Sequence, residues 1–218
     1  LASLTHDLRG PLNNTLHLLE LLEERLPRDD EFVAKVLSKI KLSIERGNQL
    51  IRNMLDVNLI QSGDTLPLSR EKSDLLPVIQ NLLDNYQYKT QRRIRVENNR
   101  DEIIDYWDAD ALRRAIDNLL SNALKYGDQD QEIKISFQQD DRQSKISVHN
   151  YGNPIPPEKL ERLFDIYYRT RDVKGKQGWG LGLTLVQGVA KAHNGSVEVK
   201  SHPDDGTTFS VVIPLHKP

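Results

Sequence analysis

Two asparagines and a lysine recur at one-turn spacing in the central part of this 218-residue chain. Asn118 and Asn122 are four residues apart and Lys125 follows three residues later, so on a helix the three side chains share one face. Amide oxygens suit Mg²⁺, which keeps several waters and shares phosphate oxygens, and an ammonium group offsets phosphate charge. The spacing indicates a magnesium-phosphate site, although polar residues on any exposed helix surface would show the same pattern.

A glycine-rich segment, residues 178–183 (Gly-Trp-Gly-Leu-Gly-Leu), precedes an apolar stretch with helical periodicity, and Gly175 lies just before it. Glycines let backbone amides approach phosphate oxygens, and a helix N-terminus attracts an anion. A phosphate-binding loop is therefore predicted, although such a loop alone is weak evidence. Two further segments of related character are residues 150–156 (Asn-Tyr-Gly-Asn-Pro-Ile-Pro) and 206–208 (Gly-Thr-Thr).

A histidine and an aspartate, His6 and Asp7, are adjacent near the start of the chain. On a helix His6 lies about 200° around the axis from Leu8, so it points away from the apolar stripe and toward solvent. Asp7 can accept a hydrogen bond from one imidazole nitrogen, which leaves the other nitrogen as a nucleophile. Pro11 predicts a kink just beyond this pair. An exposed histidine beside an aspartate is more often an ordinary helix surface, so this pair alone decides little.

The composition excludes several classes of protein. Lysine and arginine number 30 against 32 acidic residues, a formal net charge of -2 that favours neither nucleic acid nor anionic lipid as a partner. The chain has no cysteine, which excludes disulfides and thiolate zinc sites and is typical of a reducing cytoplasm, where we expect this protein. No run approaches the roughly 20 apolar residues that cross a bilayer, so we expect no membrane contact from what we interpret as a fragment.

Apolar residues recur at steps of three and four along two segments that residues 27–30 (Pro-Arg-Asp-Asp) separate. This pattern predicts an antiparallel helical hairpin. Because a two-helix hairpin leaves part of each apolar stripe uncovered, we expect two chains to pair as a four-helix bundle. The first stripe comprises Leu8, Leu12, Thr15, Leu19, Leu22 and Leu26; the second comprises Val33, Leu37, Ile40, Ile44, Ile51 and Met54, with Gly47 in one seam position.

The helical period stops at Ser62-Gly63-Asp64, and Pro67 follows, so we predict two domains, residues 1–64 and 65–218. The second domain alternates between helical and strand-like patterns, which favours an α+β sandwich with a mixed sheet covered by helices on one face. Predicted helices run from Asp74 to about Tyr88, from Asp108 to Tyr126 with Asp108 or Asp110 as cap, from about Pro157, and from about Leu181 to His193; predicted strands are residues 94–97, 133–137, 145–149, 196–201 and 208–213.

In this order the motifs resemble those of the sensor histidine kinases of two-component systems, over essentially the whole chain. The order is more specific than any one motif, and the sequence of residues 150–156 also resembles that of bacteriophytochrome-like members. The corresponding segments are residues 6–11 (H box), 118–125 (N box), 148–156 (G1 box), Leu163, Phe164, Tyr167 and Arg169 (F box region), 178–182 (G2 box), and Gly206-Thr207 (the final glycine-threonine turn).

The resemblance implies an α+β protein in which a helical hairpin, forming a dimeric four-helix bundle, precedes an α/β sandwich that binds ATP, of the type shared with gyrase, Hsp90 and MutL. Residues 166–181 would form a mobile lid. The implied reaction is phosphorylation of His6 by ATP with Mg²⁺, with Asp7 as base or orienting residue, and transfer to an aspartate in the receiver domain of a response regulator. The implied nucleotide-binding residues are Asn118, Asn122, Lys125, Tyr126, Asn150, Gly152, Ile155, Arg169, Gly178, Gly180, Leu181, Gly182, Thr207 and Thr208, and the implied metal ligands are Asn122 and Asn118.

Three positions depart from the family pattern. Asn150 replaces the aspartate that reads adenine, and Pro154 replaces the second glycine of the G1 box, so we expect weakened ATP binding, by about 1 kcal/mol, with the activity retained. Gly10 stands where bifunctional relatives carry threonine or asparagine, four residues after the histidine, to position a water molecule. We therefore predict weak phosphatase activity toward the response regulator.

Two other classes of protein remain open. One is an ATP-driven conformational machine like Hsp90 or MutL, but those ATPases carry a water-activating glutamate at the position of Asn118, and an amide cannot act as that base. The other is a dimerising scaffold or pseudokinase with an impaired nucleotide site, which Asn150 and Pro154 favour. Labelling with radioactive ATP would separate these classes.

Overall fold

The computed structural model describes residues 15, 17–19, 22, 31–90, 92–165 and 180–215. The chain separates into two compact units, Leu1–Asn58 and Leu59–Pro218. The boundary that we place at residues 64 and 65 stays a prediction. The predictions for His6, Asp7 and Gly10, for the turn at residues 27–30, and for most of the lid, residues 166–179, lie outside the described residues.

In the first unit, residues 15, 17–19 and 22 are helical, and helix α1 begins at Glu31 and continues to Gln61. Leu37 and Ile44 of the predicted second stripe are buried, whereas Ile40 and Met54 are 40 % and 52 % exposed in the single chain. A single chain therefore leaves apolar side chains of this stripe on its surface, as expected for a two-helix hairpin whose stripes are wider than one contact can cover.

The second unit contains seven strands and four helices among the described residues. Strands β2, β4, β5, β7 and β6 form a five-stranded sheet in that order, in which β2 runs parallel to β4 and the other pairs are antiparallel, while β1 and β3 form a separate antiparallel pair. This is the predicted α+β fold with a mixed sheet. The elements are β1 Glu71–Asp74, α2 Leu75–Lys89, β2 Ile94–Asn98, β3 Ile104–Trp107, α3 Ala109–Tyr126, β4 Ile133–Gln139, β5 Gln143–Asn150, α4 Pro157–Leu160, α5 Gly182–Ala192, β6 Ser196–His202 and β7 Gly206–Pro214.

One face of the large sheet is covered by helices, and the hydrophobic core lies between the two layers. Along β4 the side chains of Ile133, Ile135 and Phe137 alternate toward this core, and they pack with buried residues of α2, α3 and α5. The other face of the sheet is polar, and Lys145 of β5 forms an ion pair of 2.6 Å with Glu198 of β6 there. The alternation of strand residues therefore separates a helix-covered face from a polar face.

The start of α3 is held by a buried histidine that the sequence motifs do not include. The Asp108 carboxylate caps α3 by accepting from the Ala111 N–H at 2.9 Å, which decides between the two predicted caps. The Asp108 N–H donates to Nε2 of His193 at 3.0 Å, so the proton of this fully buried ring lies on Nδ1, which donates to the Val189 carbonyl at 2.9 Å. His193 thus joins the end of α5 to the start of α3.

Candidate nucleotide-binding site

Helix α3 carries the two asparagines that the sequence singles out. Its apolar face, which includes Leu112, is buried in the core, and Asn118 and Asn122 are half-buried. Nδ2 of Asn118 donates to the Arg114 carbonyl at 2.8 Å, so its Oδ1 remains as an acceptor. The side-chain amide of Asn122 makes no hydrogen bond to another residue in the described part of the chain. A half-buried amide without a protein partner suits a ligand.

Asn118 meets the G2 box directly. A β-carbon added to Gly182, the first residue of α5, would lie 2.6 Å from Oδ1 of Asn118. Gly180 has a φ of +71°, a left-handed conformation that glycine adopts without strain, and Leu181 is buried beside it. Thr184, in the first turn of α5, donates to the Phe164 carbonyl at 2.9 Å. The F box region and the G2 box are therefore both joined to the start of α5, and the G2 box touches α3.

We expect Gly182→Ala to slow the reaction with ATP without unfolding the protein. The added methyl group displaces only the end of the Asn118 side chain, and alanine favours a helix over glycine. Because misplacement of a positioning group by about 1 Å can cost up to about 100-fold, we expect the autophosphorylation rate to fall at least about tenfold with little change in melting temperature. The rate and melting temperature of Gly182→Ala, Asn118→Ala and the double variant would be measured. A double variant much slower than Asn118→Ala alone would contradict this contact.

The G1 box meets the other end of α3. The Asp128 N–H, two residues beyond α3, donates to the Tyr151 carbonyl at 2.7 Å, and a β-carbon on Gly152 would lie 3.1 Å from the Tyr126 carbonyl. Asn118 thus touches the G2 box, and Tyr126 touches the G1 box. Asn122 lies midway between them, one turn from each, so α3 forms a wall with a motif at either end.

Asn150 is the last residue of β5 and is 8 % exposed. Its side chain lies 3.1 Å from the Tyr151 carbonyl, and since a carbonyl can only accept, the atom that faces it is the donor Nδ2. The side-chain Oδ1 of Asn150 therefore remains as the acceptor. Gly206, in β7, has a φ of +76°, and a β-carbon there would lie 2.4 Å from the Asn150 backbone carbonyl, so both conformation and space require glycine.

The final glycine-threonine turn is joined to the G1 box through a serine. Thr207 pairs with Asn150 in the sheet register, and its hydroxyl lies 2.7 Å from the Ser201 hydroxyl. Oγ of Ser201 also accepts from the Ile155 N–H at 2.9 Å. Sequence reasoning missed Ser201, because a single serine in a strand carries no motif signal. The chain from Thr207 through Ser201 to Ile155 holds the G1 loop against β7.

Thr208 is not brought to the other candidate residues. Its hydroxyl lies 2.9 Å from Nδ1 of His149, on the polar face of the sheet, because neighbouring residues of a strand point to opposite faces. The pKa of His149 is lowered by partial burial first and then by the positive charge of Lys134, against a smaller opposite effect of Asp205. His149 and Thr208 thus form a hydrogen-bonded pair on the polar face of the sheet, opposite the face that carries the helices.

The structure therefore brings together most of the predicted residues that it describes. Lys125 is half-buried and Tyr126 is 43 % exposed at the end of α3. Arg169 and Gly178 lie outside the described residues, as do His6 and Asp7.

Among the described residues no group of three or more histidines, cysteines, aspartates or glutamates could hold a metal ion, and none of their helices is long and apolar enough to cross a membrane.

Two protein-family models match separate parts of the chain. Residues 1–63 match the His Kinase A (phospho-acceptor) domain, and residues 107–217 match the histidine kinase-, DNA gyrase B- and HSP90-like ATPase family. A solved structure of full-length ShkA in complex with AMPPNP superposes with a TM-score of 0.74 and 22 % identity, over 100 % of this chain and 46 % of that one. This likeness shows a shared fold.

Curated relatives are sensor kinases. The adaptive-response sensory kinase SasA of Rippkaea orientalis is 32 % identical over 99 % of this chain and 57 % of its own length. The sensor histidine kinase CusS of Escherichia coli O157:H7 is 30 % identical over 98 % of this chain and 44 % of its own length, so the chain spans about half of each relative. With a phospho-acceptor domain followed by an ATPase domain of this type, the chain belongs to the sensor histidine kinases.

Proposed function

We propose that this chain is an ATP-dependent protein-histidine autokinase that phosphorylates His6 and passes the phosphoryl group to an aspartate of a response-regulator receiver domain. The observation that supports this most is the arrangement around α3. Asn118 touches the G2 box, Tyr126 touches the G1 box, and between them lies the amide of Asn122, which has no hydrogen-bond partner among the described residues. Such a surface can contact a nucleotide along its length, with the base at the G1 end and the phosphates at the G2 end.

The base end of the proposed site is the side chain of Asn150. Its Oδ1 is an acceptor, since Nδ2 is bound to the Tyr151 carbonyl, and an acceptor matches the exocyclic amine of adenine. The same acceptor would oppose the carbonyl of guanine. A neutral amide forms a weaker hydrogen bond than a carboxylate, so the affinity is expected to be modest.

The proposed phosphate end offers oxygen ligands of the kind that Mg²⁺ prefers. Oδ1 of Asn118 is free of its own helix, and the amide of Asn122 has no partner among the described residues, so both oxygens fit a hard cation, and these two residues would hold it. Bound Mg²⁺ would supply charge neutralisation of the phosphates. Lys125, one turn farther along, would add positive charge near the same phosphates.

The proposed acceptor is a side chain, since the residue at the position of the water-activating base is an amide, Asn118. One imidazole nitrogen of His6 attacks the γ-phosphorus in line, and the bond from that phosphorus to the β–γ bridging oxygen breaks. The proton on the other nitrogen passes to Asp7, and ADP leaves. The exposed apolar residues of α1, which include Phe32 at 75 % exposure, would be covered by a second copy in a homodimer.

Incubation of the purified protein with γ-labelled ATP and Mg²⁺ tests this function. A kinase incorporates acid-labile label, a conformational ATPase releases phosphate continuously without labelling itself, and a scaffold binds no nucleotide. Transfer to a response regulator would follow as loss of label from the kinase and gain on the regulator. Steady phosphate release without label, or the absence of nucleotide binding, would contradict the proposal.

We expect Gly10→Thr to raise the phosphatase activity of the protein toward a phosphorylated response regulator. Glycine has no side-chain donor or acceptor to orient a water molecule, and a threonine hydroxyl supplies both. The measurement is the rate of phosphate loss from the labelled regulator with ADP present, for wild type and variant. Asn13→Thr, which introduces the same hydroxyl seven residues after His6 instead of four, is the control. Rapid dephosphorylation by the wild type that Gly10→Thr leaves unchanged would contradict this role.

A further inference from the structure

A buried arginine outside every sequence motif lies behind the base end of the proposed site. Arg92 precedes β2 and is 8 % exposed. Its Nη1 donates to the Ala123 carbonyl at 3.1 Å, and its Nε and Nη2 both donate to the Gln131 carbonyl, at 3.1 and 3.0 Å. The guanidinium therefore joins the last turn of α3 to the turn that precedes β4.

The partners of this guanidinium are carbonyl groups, and no carboxylate in the described part of the chain forms an ion pair with it. Burial accordingly lowers the pKa of Arg92, and the negative charge of Asp128 opposes that effect. Burying a charged group is costly, so the three hydrogen bonds indicate a position that depends on the forked geometry of arginine. The point charge of a lysine could serve only one of the two carbonyls well.

Arg92, the end of α3 and Asn150 meet at Gly127. A β-carbon on Gly127 would lie 2.5 Å from the Ala123 carbonyl, and 3.1 Å from both Nη2 of Arg92 and Cβ of Asn150. The space between the guanidinium and the base-reading residue is therefore filled by the backbone of Gly127. A displacement of the guanidinium or of the helix end transfers to Asn150 through this contact, because packed interiors leave few voids.

We infer that Arg92 is a positioning residue for the base end of the nucleotide site, which sets Asn150 against the last turn of α3 and so determines the preference for adenine over guanine. Arg92 contacts no nucleotide in this role. The inference rests on the proposed function, since it concerns the affinity and base selectivity of that same site.

The experiment compares Arg92→Lys with Asp74→Ser, a variant that also weakens side-chain hydrogen bonds to the backbone, but at another place in the domain. Asp74 caps α2 and accepts from the Ile103 N–H at 2.9 Å, so its loss lowers stability without touching the site. The KM for ATP, the kcat and the ratio of KM for GTP to KM for ATP are measured at a temperature where circular dichroism shows each protein folded. We expect Arg92→Lys to raise the KM for ATP about tenfold, to reduce the preference for ATP over GTP, and to change kcat less than about twofold.

A purely structural role would give Arg92→Lys the same KM and base preference as Asp74→Ser, and this result would overturn the inference. If Arg92→Lys does not fold, Arg92→Gln replaces it, because a neutral amide avoids burying a charge and can still donate to one of the two carbonyls. An unchanged KM and base preference in Arg92→Gln would equally overturn the inference. The proposed function fails if the wild type neither binds ATP nor labels itself. The inference alone fails if the wild type is active and the variants keep its KM and base preference, so the two failures are distinguishable.

Discussion

Replacement of His6 by glutamine should abolish acid-labile labelling from γ-labelled ATP while nucleotide binding persists. A glutamine amide keeps a polar side chain of similar reach but has no nucleophilic nitrogen, so no N–P bond can form. The site on α3 is built from other residues, so the affinity for ATP should stay within about twofold of wild type. The measurement is the label that survives alkali and is lost in acid, with ATP binding determined in parallel.

His17→Gln is the matched control. His17 is helical and exposed, and its replacement should leave the labelling unchanged. Full labelling of His6→Gln, or loss of labelling in His17→Gln, would refute the assignment of His6. A mixed dimer of a His6 variant and an Asn122 variant would then decide whether the phosphoryl group moves within a subunit or between subunits.

Replacement of Asn122 by alanine should remove autophosphorylation without unfolding the protein. The side-chain amide of Asn122 has no hydrogen-bond partner among the described residues, and alanine favours helices, so the free energy of unfolding should change by at most about 0.5 kcal/mol. Loss of a group that holds the charged phosphates in place costs about 100-fold or more in rate. The labelling rate and the denaturant midpoint of one preparation would be compared.

Ser121→Ala is the control, since Ser121 is also half-buried and lies about 100° around α3 from Asn122. It should label at nearly the wild-type rate. Equal labelling by Asn122→Ala and Ser121→Ala would show that the site does not use the Asn122 amide. A large loss of stability in Asn122→Ala would show instead that the amide has a structural partner.

Periodicity was a good guide to the long elements of this fold and a poor one to the short strands. The helix ending at Tyr126 and the cap at Asp108 follow from one apolar stripe and one capping carboxylate, both local features. Strands β1 and β3 were missed, because Glu71-Lys72-Ser73-Asp74 has no apolar alternation. They are held by tertiary contacts such as the bond from the buried Trp107 Nε1 to the Ser73 carbonyl, 3.0 Å long.

The asparagines behind the proposed site were readable from spacing alone, since a four-residue interval puts Asn118 and Asn122 on one side of any helix. The two-residue period of a strand also predicts that Thr208 points to the face opposite Thr207. This difference was missed because Gly206-Thr207-Thr208 was treated as one motif. Contacts between segments distant in the chain could not be predicted from the sequence. Gly182 against Asn118, Ser201 between Thr207 and Ile155, and Arg92 behind Gly127 each join residues far apart in the chain, and no local pattern encodes such a pair.

Local regularities in the chain thus specified the α+β class, the helix that carries the amides and the order of the nucleotide motifs, because helical and strand periods act over a few residues. Folding determined which of those motifs touch α3, which way the Asn150 amide is turned, and where the charge of Arg92 is buried. These features depend on close packing and on hydrogen bonds between segments that only the assembled sheet and helices bring within reach.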